Sequence, residues 1–248
     1  MIYYKIMNNN TYEIVIARYK EDINWIENIN KNYKVIVYNK FYENEENFIK
    51  NVGREAHTYL YHIIENYNNL ADYTVFLQGN PYDHCNILDD TLNNFYNLKI
   101  KNNFMPLFNQ NKDIINCDKN GQPYGFFNDN LILVGKLFEK LTNKESPNSF
   151  FATPGAQFIV SKNLIKNYPI KFYMNAIKFL EYDSNPIEAH SFERLWPTLF
   201  FNNLNNIIKI YYPNNEFYLK YLNKYYINNN IKLIDKEITR KEILYENI

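Results

Sequence analysis

Cysteine is scarce in this chain, which contains only Cys85 and Cys117. Two cysteines are too few for a disulfide framework and lack zinc-site spacing, so we expect reduced thiols and a cytoplasmic protein, of the cell or of a host cell. Net charge is lacking too, because 27 basic residues balance 27 acidic ones. We therefore expect no charge-driven affinity for DNA, RNA or anionic lipid, and no nucleic-acid partner.

Long hydrophobic runs are also missing. No apolar stretch approaches the ~20 residues of a membrane-spanning helix, and the opening MIYYKIMNNN lacks the apolar core of a signal peptide. The chain has no G-x-G-x-x-G after its first predicted strand, no P-loop and no G-x-S-x-G. These absences argue against a transmembrane segment and against dinucleotide-binding, P-loop and serine-hydrolase functions.

What the chain does contain is an alternation of β-branched runs and amphipathic helices. The sequence predicts a helix over residues 21–29, between the first two predicted strands. A second helix is expected to begin near Val52 or Gly53 with Asn51 as its cap, and to expose Arg54, Thr58, His62 and Glu65. The predicted strands are residues 13–17, 34–38 and 73–77.

This order predicts an α/β fold, a single Rossmann-like domain over residues 1–248 whose central sheet is mostly parallel and flanked by helices. We place its core at about 13–212, a loop-rich insertion at about 86–149 and a C-terminal helical appendage at about 213–248. The later predicted elements are a strand within 155–161 with a helix capped by Ser161, a helix after Asn185 that Pro197 ends or kinks, a strand at 205–212, and helices at 216–227 and 236–245.

Polar side chains follow the third predicted strand, at the sheet edge where α/β proteins bind ligands. The segment QGNPYDH contains Gln78, Gly79, Asn80, Asp83 and His84. Its glycine allows close backbone approach, while Asp83 and His84 offer ligands for a metal or for a diphosphate-bound sugar. A polar turn in which Asp83 caps a following helix is the alternative.

Two arginines are candidate phosphate ligands. Arg54 lies between Gly53 and Glu55 at a predicted helix N-terminus, where free N–H groups favour phosphate and Glu55 could accept from a sugar hydroxyl. Arg18 follows the first strand. The alternatives are an exposed first turn for Arg54 and a salt bridge to Glu21 or Asp22 for Arg18.

Histidines and a late glutamate complete the candidates. His190 and Glu193 share a helix face, which suits an acid/base pair, with Glu193 as the carboxylate that activates an acceptor hydroxyl. An ion pair between Glu193 and Arg194 is the alternative. His57 and His62 point in different directions around their helix, so we expect packing or surface roles for both.

Several segments together resemble an uncharacterised family, a domain of unknown function found in fungi, bacteria and large viruses. In order, they are EIVIARYKEDINWI, VIVYNK, NVGREAHTYLYHIIENYNNLADYTVFLQGNPYDH, GAQFIVSK and HSFERLW. That family in turn resembles GT-A glycosyltransferases, and the N-x-G-R-E segment is similar to the N-x-G-R-D motif of bacterial rhamnan-type transferases. The resemblance covers roughly residues 13–200.

The resemblance implies transfer of a sugar from a nucleotide-sugar donor to a glycan or other hydroxyl acceptor. It implies that the segment from Gly155 to Phe158 borders the acceptor site and that Glu193 lies near the position of the catalytic carboxylate. The metal-binding D-x-D of GT-A enzymes is replaced by Gln78, Gly79 and Asn80. Either Asp83 holds Mn²⁺ or Mg²⁺ instead, or the reaction needs no metal.

Two rival functions stay open at this point. The first is a metal-dependent hydrolase built on Asp83, His84, His57 and Glu193. The second is a catalytically inactive sugar- or nucleotide-binding module, which the missing D-x-D motif favours.

Overall fold

The computed structural model describes residues 10–94, 103–107, 115–118, 134–147, 149–152 and 155–200. Two short 3-10 helices, Asn24–Asn28 and Pro81–Asp83, precede and follow strands of the sheet. The strands are β1 Tyr12–Arg18, β2 Lys34–Asn39, β3 Tyr73–Gln78, β4 Phe104–Pro106, β5 Ile115–Asp118, β6 Ser149–Ala152 and β7 Phe158–Ser161. The helices are α1 Arg54–Glu65, α2 Leu88–Asn94, α3 Val134–Thr142, α4 Lys162–Ile165, α5 Ile170–Ile177 and α6 Ile187–Phe200.

The main sheet is mixed, so the prediction of a mostly parallel sheet is wrong. Its strand order is β2-β1-β3-β7-β4. β1 pairs in parallel with β2 and β3, whereas β7 is antiparallel to both β3 and β4. Alternating helices and strands predict direction only where short crossovers connect them, and β7 follows the insertion that separates it from β3. β5 and β6 form a separate antiparallel pair.

Both faces of the main sheet are covered, which makes the protein a three-layer α/β structure. Val15 and Phe76 belong to a core that includes residues of α1, α5 and α6. Ile16 and Leu77, the next residue along each strand, point to the opposite face and pack with residues of α2 and the first 3-10 helix. Burial on both faces explains why β1 and β3 are almost uniformly apolar.

The first three predicted strands are confirmed to within one residue, but the helix predicted at residues 21–29 is wrong. A 3-10 helix, Asn24–Asn28, stands there instead. The Glu21 carboxylate accepts the N–H groups of Tyr19 and Lys20, at 2.6 and 3.1 Å. Glu21 therefore closes a turn at the end of β1, where the sequence suggested the first turn of a helix.

Some of the predicted helix ends are confirmed and others are wrong. Ser161 caps α4 as predicted, accepting from the Leu164 N–H at 3.3 Å. Asn51 is not the cap of α1, since Gly53 occupies that position without a side-chain cap bond. Pro197 does not end α6, which continues to Phe200. The elements predicted at 205–212, 216–227 and 236–245 lie outside the described residues.

Two of the four α1 residues that the sequence predicts to be exposed are buried, whereas Arg54 and Glu65 are exposed as predicted. Thr58 and His62 are fully enclosed, because α1 lies between the sheet and helices α5 and α6. His62 Nε2 lies 3.1 Å from Glu13 Oε1, to which the Thr74 hydroxyl also donates at 2.9 Å. His62 is thus a packing residue with a buried ionic partner: of the two roles predicted for it, packing and surface, the structure shows packing, and its predicted place on the exposed face is wrong.

The Glu13 carboxylate is stabilised in its charged form. Burial raises its pKa, but hydrogen bonds from His62, Thr74 and the Ala71 N–H, with the charge of His62, hold the pKa below its ordinary value. A lowered carboxyl pKa stabilises the fold above the unfolded-state pKa, and this stabilisation is lost as the pH falls through the folded-state value.

Within the described part of the chain, no helix combines the length and the apolar character needed to cross a bilayer.

His62→Ala should lower the free energy of unfolding by about 3–5 kcal/mol, because it leaves Glu13 as an uncompensated buried charge. Urea unfolding followed by circular dichroism at neutral pH measures this change. Glu65→Ala, at an exposed position of the same helix, is the control and should change stability by less than about 0.5 kcal/mol. Equal stabilities for the two variants would contradict the importance of the buried pair.

Candidate functional site

A cavity of about 560 Å³ opens beyond the carboxyl ends of β1, β2 and β3. Ala17 and Arg18 reach it from β1, Lys40 follows β2, and Gln78 ends β3. The other lining residues are Tyr19, Glu21, Asn51, Arg54, Glu55, Asn80, Asp83, Ser184 and Asn185. The cavity therefore collects candidates from both the QGNPYDH loop and the N-x-G-R-E segment, which lie far apart in the sequence.

Arg18 is held by a set of contacts at the rim. Its Nη1 lies 2.8 Å from Glu45 Oε2 and 3.2 Å from Asn39 Oδ1, and its Nε donates to the Glu21 carbonyl at 3.1 Å. Its guanidinium also lies over the Tyr42 ring, 4.7 Å from the centroid. The ion-pair partner is Glu45 in place of the predicted Glu21 or Asp22, because the chain after β2 folds back over the end of β1.

The turn into α1 has an unusual backbone conformation. Gly53 and Arg54 both have positive φ, 62° and 50°. Their N–H groups donate to the carbonyls of Asp183 and Ser184, at 2.9 and 3.2 Å. These N–H groups are thus engaged by protein carbonyls, and the cavity receives positive charge here from the Arg54 side chain.

Arg54 and Glu55 differ in exposure although they are neighbours. The Arg54 side chain is 43% exposed, and that of Glu55 is 10% exposed, with 3.5 Å between Arg54 Nε and Glu55 Oε2. Burial raises the pKa of Glu55; Arg54, the residue's own N–H and Lys40 lower it, while Glu193 raises it further, and the net direction is upward. Arg54 Nη1 donates to Asn185 Oδ1 at 3.3 Å, and this hydrogen bond ties the exposed arginine to the segment before α6.

Lys40 is a cavity residue that sequence reasoning missed. It is only 6% exposed, and its Nζ donates to the carbonyls of Val52, at 2.6 Å, and Arg54. Burial lowers its pKa to about 7, with Glu55 opposing and Arg54 adding to the effect. The available signal was a lysine placed directly after a predicted strand, at the edge of the sheet where ligands bind.

The loop after β3 is held from two sides by residues that the sequence did not single out. The Trp25 indole N–H donates to the Gly79 carbonyl at 2.9 Å. The buried Gln157 amide donates to the Pro81 carbonyl at 3.1 Å and accepts from the Gln78 N–H at 3.4 Å. Within the loop, Asn80 Nδ2 donates to Asp83 Oδ2 at 2.9 Å.

Glu193, His84 and Gly155 form a neighbouring group and are not among the lining residues of the cavity. The Glu193 carboxylate accepts the Gly155 N–H at 2.9 Å. It also lies 3.4 Å from Arg194 Nη1, which is the ion pair predicted as the alternative role of Glu193. Gly155 packs so closely on the His84 ring that an added Cβ would lie 2.5 Å from it. His190 bonds to Asn185 Oδ1 through Nε2 at 3.1 Å, and so does not pair with Glu193.

Among the described residues, no three His, Cys, Asp or Glu side chains are grouped closely enough to hold a metal ion. His57 is buried in α1, and burial, followed by the charges of Lys40 and Lys50, lowers its pKa to about 4. A hydrolase centre made of Asp83, His84, His57 and Glu193 is therefore not formed. Asp83 lines the cavity and could hold a divalent cation together with oxygens of a bound phosphate, as Mg²⁺ often does.

A family model described as "Protein of unknown function (DUF3431)" matches residues 14–212. The match begins in β1 and includes both the QGNPYDH loop and α6. It agrees with the assignment to an uncharacterised family made from the sequence. Comparisons with curated proteins and with solved structures give no match, and the likeness to GT-A enzymes stays a prediction.

Gly53→Ala should lower the free energy of unfolding by about 2–4 kcal/mol, because alanine disfavours positive φ and overpacks the site. The added Cβ would lie 2.6 Å from Leu180 Cβ and 2.8 Å from His57 Cβ. Urea unfolding measures the loss.

Asn51→Ala, two residues before Gly53, is the variant to compare with Gly53→Ala. It should lower the free energy of unfolding by less than about 0.5 kcal/mol, since Asn51 does not cap α1. A loss of about 1 kcal/mol in Asn51→Ala would restore the capping role predicted for it.

Proposed function

The chain belongs to the DUF3431 family of proteins of unknown function, and from that premise we propose that it is a glycosyltransferase that uses a nucleotide-sugar donor and a glycan or other hydroxyl acceptor. The supporting observation is the shared cavity. Six of the residues selected from sequence line it, and it lies beyond the ends of parallel strands β1 and β3. Those residues are Arg18, Arg54, Glu55, Gln78, Asn80 and Asp83.

The charges of the cavity bear on what it can bind. Three cationic and three anionic side chains line it: Arg18, Lys40 and Arg54 against Glu21, Glu55 and Asp83. A donor diphosphate carries two negative charges, so its binding in a balanced cavity requires additional positive charge. A divalent cation at Asp83 or the uptake of protons by cavity groups would supply it.

Arg54 is the best placed side chain for the diphosphate. It is the more exposed of the two arginines and retains N–H donors beyond its contacts with Glu55 and Asn185. Arg18 has most of its donors occupied at the rim. In the proposed reaction the acceptor hydroxyl loses its proton to a carboxylate and attacks the anomeric carbon, while the nucleoside diphosphate leaves with the bonding electrons of the C–O bond.

Two carboxylates are candidates for that proton transfer. Glu193 is the base that the sequence predicts, and it currently supports Gly155 at the neighbouring group. Glu55 faces the cavity, and its raised pKa suits a group that accepts a proton. The two assignments are compared by measuring donor hydrolysis, with water as the acceptor, in Glu193→Gln and Glu55→Gln. The variant that loses hydrolysis identifies the carboxylate that accepts the proton.

Nucleotide-sugar binding is tested by thermal unfolding with UDP- and GDP-sugars, with and without Mn²⁺. We expect a rise in the melting temperature with one of them, and Arg54→Ala should weaken binding by about tenfold to a hundredfold, the loss of a charge-assisted contact. Lys136→Ala, exposed on α3, is the control and should retain the shift. No shift with any donor would count against sugar transfer, and binding without donor hydrolysis would favour the inactive module.

Metal dependence centres on Asp83, the cavity carboxylate of the QGNPYDH loop. We expect Mn²⁺ to increase donor affinity in the wild type, and Asp83→Asn to remove that increase while leaving metal-free binding in place. Isothermal titration with and without EDTA measures both. Asp90→Asn, an exposed acid on α2, should behave as the wild type; an unchanged Mn²⁺ effect in Asp83→Asn would rule Asp83 out as the metal ligand.

A further inference from the structure

Lys40 differs from the lysines at positions 20 and 50 in being buried. It is buried at the end of β2, whereas Lys50 and Lys20 are exposed. A buried ammonium is costly unless it is paired or hydrogen-bonded, and Lys40 has no ion pair within salt-bridge distance among the described residues. The carbonyls of Val52 and Arg54 accept from it instead.

Those two carbonyls flank the residues with positive φ. The backbone turn at Gly53 and Arg54 directs the side chains of Arg54 and Glu55 to the cavity. The Lys40 ammonium bridges the carbonyls of the residues on either side of Gly53. An ammonium has three N–H donors, and two are used in these contacts. The third remains for a group in the cavity that Lys40 lines.

We propose that Lys40 makes this cavity a proton-linked anion site: its ammonium holds the turn that presents Arg54 and supplies the buried positive charge that a donor diphosphate needs. The inference rests on the proposed function and deepens it, because it identifies the diphosphate as the part of the donor bound at Lys40. Binding of the anion favours the protonated lysine, so binding takes up a proton from solution.

The neighbouring charges agree with this assignment. Burial lowers the pKa of Lys40 to about 7, so near neutral pH the free protein holds only part of that proton. The titratable and charged groups around Lys40 and its cavity are Arg54, Glu55, His57, Arg18, Glu21 and Asp83. Of these, Glu55 has a raised pKa and His57 a lowered one, because burial favours the uncharged form of each. Protonation of the buried Lys40 therefore adds positive charge to a region where burial disfavours charge, and a bound diphosphate stabilises that charge.

The experiment is isothermal titration of the full chain with a UDP-sugar or GDP-sugar in EDTA, between about pH 6 and pH 8.5, where the diphosphate itself does not titrate. Heats measured in buffers of different ionisation enthalpy give the number of protons taken up. We expect proton uptake that grows above about pH 7, and an affinity that falls by up to tenfold per pH unit there.

Three variants separate this role from a structural one. Lys40→Met should bind weakly at every pH without proton uptake, whereas Lys40→Arg, whose charge does not titrate, should bind without proton uptake and with little pH dependence. Lys50→Met is the matched control, an exposed lysine that should keep the wild-type profile. If Lys40→Met does not fold, the wild-type proton count and Lys40→Arg decide the outcome.

The failures are distinguishable. Donor binding with no proton uptake, or with the same pH profile in Lys40→Arg, would overturn the proton link and leave the proposed function standing. Donor binding that occurs with Mn²⁺ but not in EDTA would likewise overturn the proton link alone, whereas absence of donor binding under both conditions would overturn both. The buried ammonium has its own test: above about pH 7 the unfolded chain holds the extra proton, so the unfolding constant of the wild type relative to Lys40→Met should fall by up to tenfold per pH unit.

Discussion

The left-handed turn at Gly53 and Arg54 is the constraint on which the rest of the site depends. Such a turn is unfavourable for an arginine and persists only where its surroundings hold it. Here Lys40 binds the carbonyls on either side of Gly53, and the carbonyls of Asp183 and Ser184 bind the two N–H groups. Three separate parts of the chain therefore meet at one turn, and their meeting places Arg54 and Glu55 at the cavity.

The same turn connects the cavity to the core. α1 begins at Arg54 and is buried on most sides between the sheet and helices α5 and α6. Its buried polar residue His62 is matched by Glu13 of β1. Since the helix is fixed by packing and by this pair, the position of its first turn relative to the strand ends is fixed as well. Side chains presented by helices and strands are held more precisely than those presented by loops, and this applies to Arg54 and Glu55 at the start of α1.

Much of the fold could be predicted from local pattern. The β-branched runs of β1, β2 and β3 and the Ser161 cap of α4 are local signals, and the structure agrees with them. The direction of β7 and the burial of Thr58 and His62 could not be predicted in this way, because they depend on how the insertion and the later helices pack. The turn closed by Glu21 was missed because an acid after a strand is equally typical of a helix start.

By itself, the sequence determined the α/β class, the first three strands, the family, and six residues that line one cavity. These follow from hydrophobic periodicity and from short motifs, which act over neighbouring residues. Only the tertiary structure decided that Lys40 is buried beside them, that Glu193 supports Gly155, and that His84 packs under that glycine. Burial and pKa depend on every element that surrounds a side chain, and those elements come from distant parts of the chain.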